Sequence, residues 1–226
     1  MKKLIKTDRL SGVIFDVDGT LLDSMPIWRN AGARYLNTQH IVPEPHLGDL
    51  LFNMTLTESS QYLKSHYGLK ASCADIQKAV LDDIADFYRS QVLLKPGAQR
   101  VLECFGKQLP LAVASVGDKA LIRAAFSRLK ILKAFSAIVT DRDPGIHGGK
   151  ETPEIFFAAS RAIDSPTATT LVVEDNLTAV STAKSAGFLT LGVYDPANEK
   201  DWPLICKKAD AAILSFQDLD ICLNVK

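Results

Sequence analysis

The sequence predicts an α/β protein: a doubly wound, mainly parallel sheet with a helical segment inserted into it. Three observations carry that expectation. Short apolar runs rich in Val, Ile and Leu recur along the chain, and they are nearly unbroken rather than alternating, as strands covered on both faces require. Helical patterns fill the intervals between most of them. One stretch, residues 25–94, breaks the rhythm, with helical patterns and no run of the buried-strand type.

The first strand is "GVIF", which runs straight into Asp16. Helical patterns follow in "IWRNAGARYL", "LTESSQYLKSHYG" and "ADIQKAVLDDIADFYRSQV", with Thr55 and Glu58 at capping-box spacing before the second. "LLDSMP" and "LLKPGA" read as the two connections of this insertion, and Pro26 and Pro96 suit stiff linkers there. A second strand, "LPLAVAS", ends at Ser115, the helix "KALIRAAFSRLKIL" follows it, and "FSAIVT" makes a third strand ending at Thr140. The helix "EIFFAASRAI" is expected to open with Thr152 as N-cap and Pro153 at its first position. The strand "TTLVVED" ends at Asp175, and the short helix "NLTAVSTAKSAG" is closed by Gly187 at the position just past its C-cap. "FLTLGVY" and "DAAILSF" complete the strands. The expected domains are an α/β core of residues 1–24 and 95–226 and a helical cap of residues 25–94.

At 226 residues the chain suits one large domain or two modest ones. Lys plus Arg number 26 against 26 for Asp plus Glu, so net charge gives no reason to expect a nucleic acid or an anionic membrane as partner. The N-terminal "MKKLIKTDRL" has its apolar residues interrupted by charge, which argues against a signal peptide or a membrane span. Cys73, Cys104, Cys206 and Cys222 are scattered, with no CxxC, and read as reduced thiols of a cytoplasmic protein. His40, His46, His66 and His147 show no metal-ligand spacing. Trp28 and Tyr35 read as a helix packing face, and Asp82, Asp83 and Asp86 as a solvated one.

In an open α/β sheet, ligands bind beyond the carboxyl ends of the strands. The polar residues in those places are Asp16 and Asp18, Ser115, and Glu174 with Asp175, and Lys150 enters just before a helix. Carboxylates so close repel one another unless they are protonated or neutralised by a cation. Hard oxygen ligands with no His or Cys nearby point to Mg²⁺. A divalent cation also suits a phosphorylated substrate, whose oxygens the backbone N–H groups of "DVDGT", the Ser115 hydroxyl and Lys150 could hold. Each residue also has a bland reading: Asp18-Gly19 as a turn, Ser115 or Asp175 as a helix cap, Lys150 as a solvated loop lysine. Those readings leave unexplained why polar residues recur at strand ends in this order.

"DVDGT", "ASVG", "GKETPEIF" and "VEDN", in that order and spacing, resemble the four motifs of the haloacid dehalogenase superfamily of aspartate-nucleophile phosphotransferases. The resemblance covers nearly the whole chain and falls in the branch of β-phosphoglucomutase and of small-molecule phosphatases with a helical cap. It implies a Rossmann-like core and, residue by residue, an aspartyl-phosphate formed on Asp16 and proton transfer by Asp18. It places Mg²⁺ on Asp16, the backbone carbonyl of Asp18 and Asp175, with Glu174 assisting. Ser115 and Lys150, with backbone N–H groups at Val17, Asp18 and Val116, would bind the phosphoryl group. Asp18 also separates the chain from true dehalogenases, which lack this second acid.

Two departures bear on function. Val116 stands where the family often has a polar residue, and Glu151 replaces a proline after Lys150, which should loosen that loop. Trp28 and Thr57 stand where, counted without gaps, mutases carry a hinge His and a phosphate-binding Arg. The expectation is therefore a phosphatase acting on a small phosphate ester, as a monomer or a dimer. Phosphoryl transfer of the β-phosphoglucomutase type and a catalytically silent metal- and phosphate-binding regulator remain open. The cap is expected to close over the strand ends and to set specificity, with Arg29, Arg34 and Lys64 as candidate cations.

Overall fold

The computed structural model describes residues 10–52 and 54–219; Cys222 and residues 1–9 of the basic N-terminal segment lie outside the described residues. The chain divides into two compact units, one made of the chain up to Asp23 and from Leu93 on, the other of Ser24–Val92.

In the first unit, the strands among the described residues are β1 (Gly12–Phe15), β2 (Leu111–Ser115), β3 (Ala137–Thr140), β4 (Thr170–Glu174), β5 (Leu189–Val193) and β6 (Ala211–Ile213). They form one parallel sheet in the order β3-β2-β1-β4-β5-β6. β1, β2 and β4 are buried at every residue, which is why their interiors are unbroken apolar runs instead of alternating, with Ser115 and Glu174 the polar residues that end β2 and β4.

Helices cover both faces. Ile14 turns to one side and packs with Ala112, Ala114 and Val139 against Ile155, Phe156 and Ala159 of α7 (Glu154–Ala162) and Ala179 and Ala183 of α8 (Leu177–Ser185). Phe15, one residue on, turns to the other side and meets the rings of Phe105 in α5 (Ala98–Gly106) and Phe135, with centroids 6.4 and 6.3 Å apart. Each fully buried side chain of this size contributes about 1.5–3 kcal/mol. α6 (Lys119–Arg128) follows β2, and α9 (Trp202–Lys208) precedes β6.

The second unit is helical: α1 (Met25–Thr38), α2 (Leu47–Leu51), α3 (Leu56–His66) and α4 (Cys73–Ser90). Thr55 and Glu58 make the expected reciprocal capping box, and Ser72 with Asp75 makes another before α4. Tyr35 is buried and Trp28 is partly exposed, its indole N–H donating to Tyr88 Oη at 2.9 Å. The acids of α4 are ion-paired as well as solvated: Asp82 with Lys78, Asp83 with Arg34, Asp86 with Arg89.

Several local expectations shift. Pro26 lies in the first turn of α1, where its missing N–H costs nothing. α6 ends at Arg128 rather than running on, because Lys130 turns left-handed at φ 61°. Pro153 takes the N-cap position of α7, and Thr152 donates to the carbonyl of His147 instead of capping. α2 and α5 lie outside the helices expected from the sequence. Gly187 does close α8, at φ 93°. The two connections meet in the first unit: Asp23 N–H donates to Leu93 O and Lys95 N–H to Leu21 O, both at 2.9 Å. No helix among the described residues is long and apolar enough to cross a membrane.

Candidate active site

The strand order sets where a site can form. From β1 the chain adds β2 and β3 on one side, and β4, β5 and β6 lie on the other, so the order reverses between β1 and β4. At such a switch point the loops leaving the two strands diverge and open a crevice at the carboxyl end. The residues there are Asp16 after β1 and Glu174 and Asp175 at the end of β4. Parallel pairing brings them level: Phe15 is in register with Val173, and Asp16 N–H donates to Val173 O at 3.0 Å.

All three acids are buried, Asp16 to 7%, Glu174 to 1% and Asp175 to 3% exposure, and each offers an oxygen within 4.8 Å of the others'. Lys150, from the turn before α7, inserts its ammonium between Asp16 Oδ1 and Glu174 Oε1, the latter at 2.5 Å. Its side chain is 11% exposed, so the solvated-lysine reading does not describe it. Glu174 Oε2 turns back to accept from the N–H groups of Asp175 and Asn176 at 2.9 and 3.0 Å. Asp175 is gripped on both oxygens, by Thr20 Oγ1 at 2.9 Å and by Asn198 Nδ2 at 2.7 Å. Neither Ser115 nor Asp175 caps a helix: Asp118 caps α6 and Asn176 caps α8.

The electrostatics follow from burial. Desolvation pushes Glu174 up to about 7, against the pull of Lys150. Asp175 is raised well above the usual carboxylate range by burial and by the charges of Glu174 and Asp16. Burial works against the charge on Lys150, but Asp16 and Glu174 outweigh it and hold the ammonium protonated. When all three acids are ionised, the one ammonium leaves an excess of negative charge, and Asp16 Oδ2 is buried without a hydrogen-bond partner. An orphaned buried acceptor costs about 1–3 kcal/mol. A hard divalent cation would supply that oxygen's missing partner and relieve the repulsion, so the donor set fits Mg²⁺.

The other expected site residues lie at neighbouring strand ends, outside this carboxylate cluster. Asp18 is half-buried in the turn after β1, and Val17 is buried with its carbonyl accepting from Leu21 and Leu22. Ser115 is buried at the end of β2, in register with Thr140, and Val116 after it is 49% exposed. Glu151 supplies a tie that its substitution for proline did not suggest, since its Oε1 accepts from Gly149 N–H at 2.8 Å. Thr20, Asn198, Lys95 and Asp195 went unnoticed in the sequence. Thr20 lies inside "DVDGT" and Lys95 inside the connection "LLKPGA", while nothing in "DPANEK" marks Asn198. In the helical unit, Arg29 pairs with Asp49 at 3.1 Å and Arg34 with Asp83 through two contacts at 2.6 and 2.7 Å.

Comparison with known proteins agrees with this geometry. A phosphorylated-carbohydrate phosphatase of Thermotoga maritima is 26% identical over 195 residues, covering 84% of this chain and 88% of that protein. Hexitol phosphatase A of Escherichia coli is 26% identical over 193 residues, 84% of this chain and 86% of its own. Among solved structures, a Thermotoga maritima protein provisionally named a β-phosphoglucomutase superposes with a TM-score of 0.79 at 25% identity, covering 90% of this chain and 94% of that one. The family model described as haloacid dehalogenase-like hydrolase matches residues 13–193. That match begins inside β1 and ends on the last residue of β5, so it takes in Asp16, Lys150, Glu174 and Asp175: the chain belongs to the haloacid dehalogenase-like hydrolases.

Proposed function

We propose that this phosphoric monoester hydrolase cleaves a small phosphorylated metabolite, a sugar phosphate or a similar ester, through an aspartyl-phosphate on Asp16. The observation that carries the reading is the Asp16 carboxylate itself. It stands buried at the end of the central strand, one oxygen on Lys150 and the other without a partner, beside Glu174 and Asp175.

In this reading Asp16 attacks phosphorus as the bond to the ester oxygen breaks, and Asp18 donates a proton to that departing oxygen. Asp18, now a base, takes a proton from water, which displaces the phosphoryl group and returns Asp16 as a free carboxylate. The Ser115 hydroxyl, the Lys150 ammonium and the backbone N–H groups of Val17, Asp18 and Val116 would hold the phosphoryl oxygens, where charge gathers in the transition state. Mg²⁺, held by Asp16, the carbonyl of Asp18 and Asp175 with Glu174 assisting, would supply the positive charge that lets an anionic ester approach an anionic nucleophile.

The names of the two phosphatase relatives support a carbohydrate-like ester. The name of the Thermotoga structural neighbour favours a mutase as the second reading. A mutase must grip a second phosphate, and Arg29 and Arg34 are already committed to aspartates, which supports hydrolysis. A silent regulator would be expected to lack Asp16 or Asp18, and both are present. The test is phosphate release from p-nitrophenyl phosphate and a panel of sugar phosphates, with and without Mg²⁺. Release that requires Mg²⁺ is expected. Protein that binds Mg²⁺ yet releases no phosphate from any ester overturns hydrolysis, and isomerised sugar phosphate in the same tubes selects the mutase.

A further inference from the structure

Lys95 is a lysine in an unusual place. Its side chain is 12% exposed, and its three N–H donors are all spent: on Gly19 O at 2.9 Å, Tyr194 O at 2.9 Å and Asp195 Oδ2 at 2.7 Å. Gly19 directly follows Asp18, so the first bond pins the turn that leaves the nucleophile strand. Asp195 is 2% exposed, and its other oxygen accepts from Ala197 N–H at 2.8 Å, closing the short turn Pro196–Asn198. From that turn Asn198 reaches the Oδ2 of Asp175. One buried ion pair therefore ties the turn after Asp16 and Asp18 to the grip on Asp175, through contacts of 2.9 Å or less at every link.

Stability alone accounts poorly for such a pair. Taking two charges out of water costs several kcal/mol per ion, and replacement of buried pairs by apolar residues is often neutral or stabilising. Lys184 and Asp210 form a contrasting pair: both are about a third exposed, and Asp210 is bonded to Thr190 rather than to any residue of the site.

The geometry points to Lys95 and Asp195 as positioning residues, which hold the Asp16–Asp18 turn and the Asp175 carboxylate at the spacing that a bound cation needs. This inference rests on the phosphatase reading above. Outer partners that orient metal ligands are worth about 10–100-fold in metal affinity or activity.

The test uses the full chain and Mg²⁺ alone, titrated calorimetrically without substrate, followed by steady-state kinetics on p-nitrophenyl phosphate. The double variant Lys95→Met/Asp195→Asn removes both charges together and avoids stranding one of them. It is expected to weaken Mg²⁺ binding about 10-fold and to lower kcat at saturating Mg²⁺, with KM for the ester little changed. Lys184→Met/Asp210→Asn, matched in chemistry, should leave all three at wild-type values. Asn198→Ala removes the last link without burying a charge. It should also weaken Mg²⁺ binding several-fold, and it decides the matter if the double variant does not fold. Wild-type Mg²⁺ affinity in the folded double variant, or in Asn198→Ala, overturns the inference and leaves the phosphatase reading intact. Wild-type protein that binds no Mg²⁺ overturns both.

Discussion

At the scale of single residues, the site is a balance of charge. Asp16, Glu174 and Asp175 are buried together, and the Lys150 ammonium is the cation that touches two of them. Removing it should cost more than removing any one acid, because the acids would be left buried and uncompensated. Lys150→Met is expected to lose on the order of 3–5 kcal/mol in urea denaturation with EDTA present, and to regain part of that with Mg²⁺. Equal losses with and without Mg²⁺ would contradict the charge balance. Asp16→Asn acts the other way. Its carbonyl oxygen can still accept from Lys150 and it removes one negative charge, so the fold should be at least as stable, while turnover falls below about one thousandth of wild type. Residual turnover in pure protein above that level would exclude Asp16 as the nucleophile. Much of this was legible beforehand, since acids at the end of apolar runs stand out. The donors to Asp175 were not: Thr20 and Asn198 are ordinary polar residues until a distant carboxylate lies 2.7–2.9 Å away.

At the scale of elements, the caps and turns that hold the strand ends are independent of the chemistry. Asp118 accepts from Ala120 N–H at 2.7 Å, and Asn176 accepts from Thr178 and Ala179 at 2.9 and 3.2 Å. Alanine at either position is expected to cost about 1 kcal/mol. Two glycines separate conformational from steric cost. Gly187 has φ 93°, and a Cβ there would meet nothing closer than 3.8 Å, so Gly187→Ala pays only the left-handed penalty of about 1–2 kcal/mol. Gly97 has φ 86°, and its Cβ would lie 2.8 Å from the backbone of Phe216 and Gln217, so Gly97→Ala should cost distinctly more. Denaturant midpoints of the two variants check the order, and a smaller loss at Gly97 would refute it. The sequence marked Gly187 because it follows a helical pattern. It could not mark Gly97, since the obstructing backbone belongs to residues more than a hundred positions away.

At the scale of the whole molecule, the buried acids should couple folding to pH and to the cation. Glu174 is raised from 4.5 to about 7, so between those values the folded chain keeps a proton that the unfolded chain has released. Without a cation its contribution to stability is therefore full below about pH 4.5 and is lost as pH rises toward 7. Asp175 is raised as well and acts in the same direction. A divalent cation favours the deprotonated carboxylates and should cancel the loss. Thermal unfolding in EDTA is expected to fall by several degrees between about pH 5 and pH 8, and the shift produced by Mg²⁺ should grow over the same range. Parallel curves with and without Mg²⁺ would rule out this linkage.

The sequence by itself determined the alternation of strands and helices, the helical interruption, and which residues end the buried runs. Apolar runs covered on both faces, helical periodicity and capping spacing are local properties, readable from neighbours a few positions apart. Only the tertiary structure decided that β1 and β4 pair and that Lys150 enters between Asp16 and Glu174. It also decided that Lys95, which reads as part of a linker, spends all its donors beneath the loops of the site. These facts depend on contacts between residues 24 to 158 positions apart, set by the winding of the sheet and by burial, and no short window of sequence contains both partners.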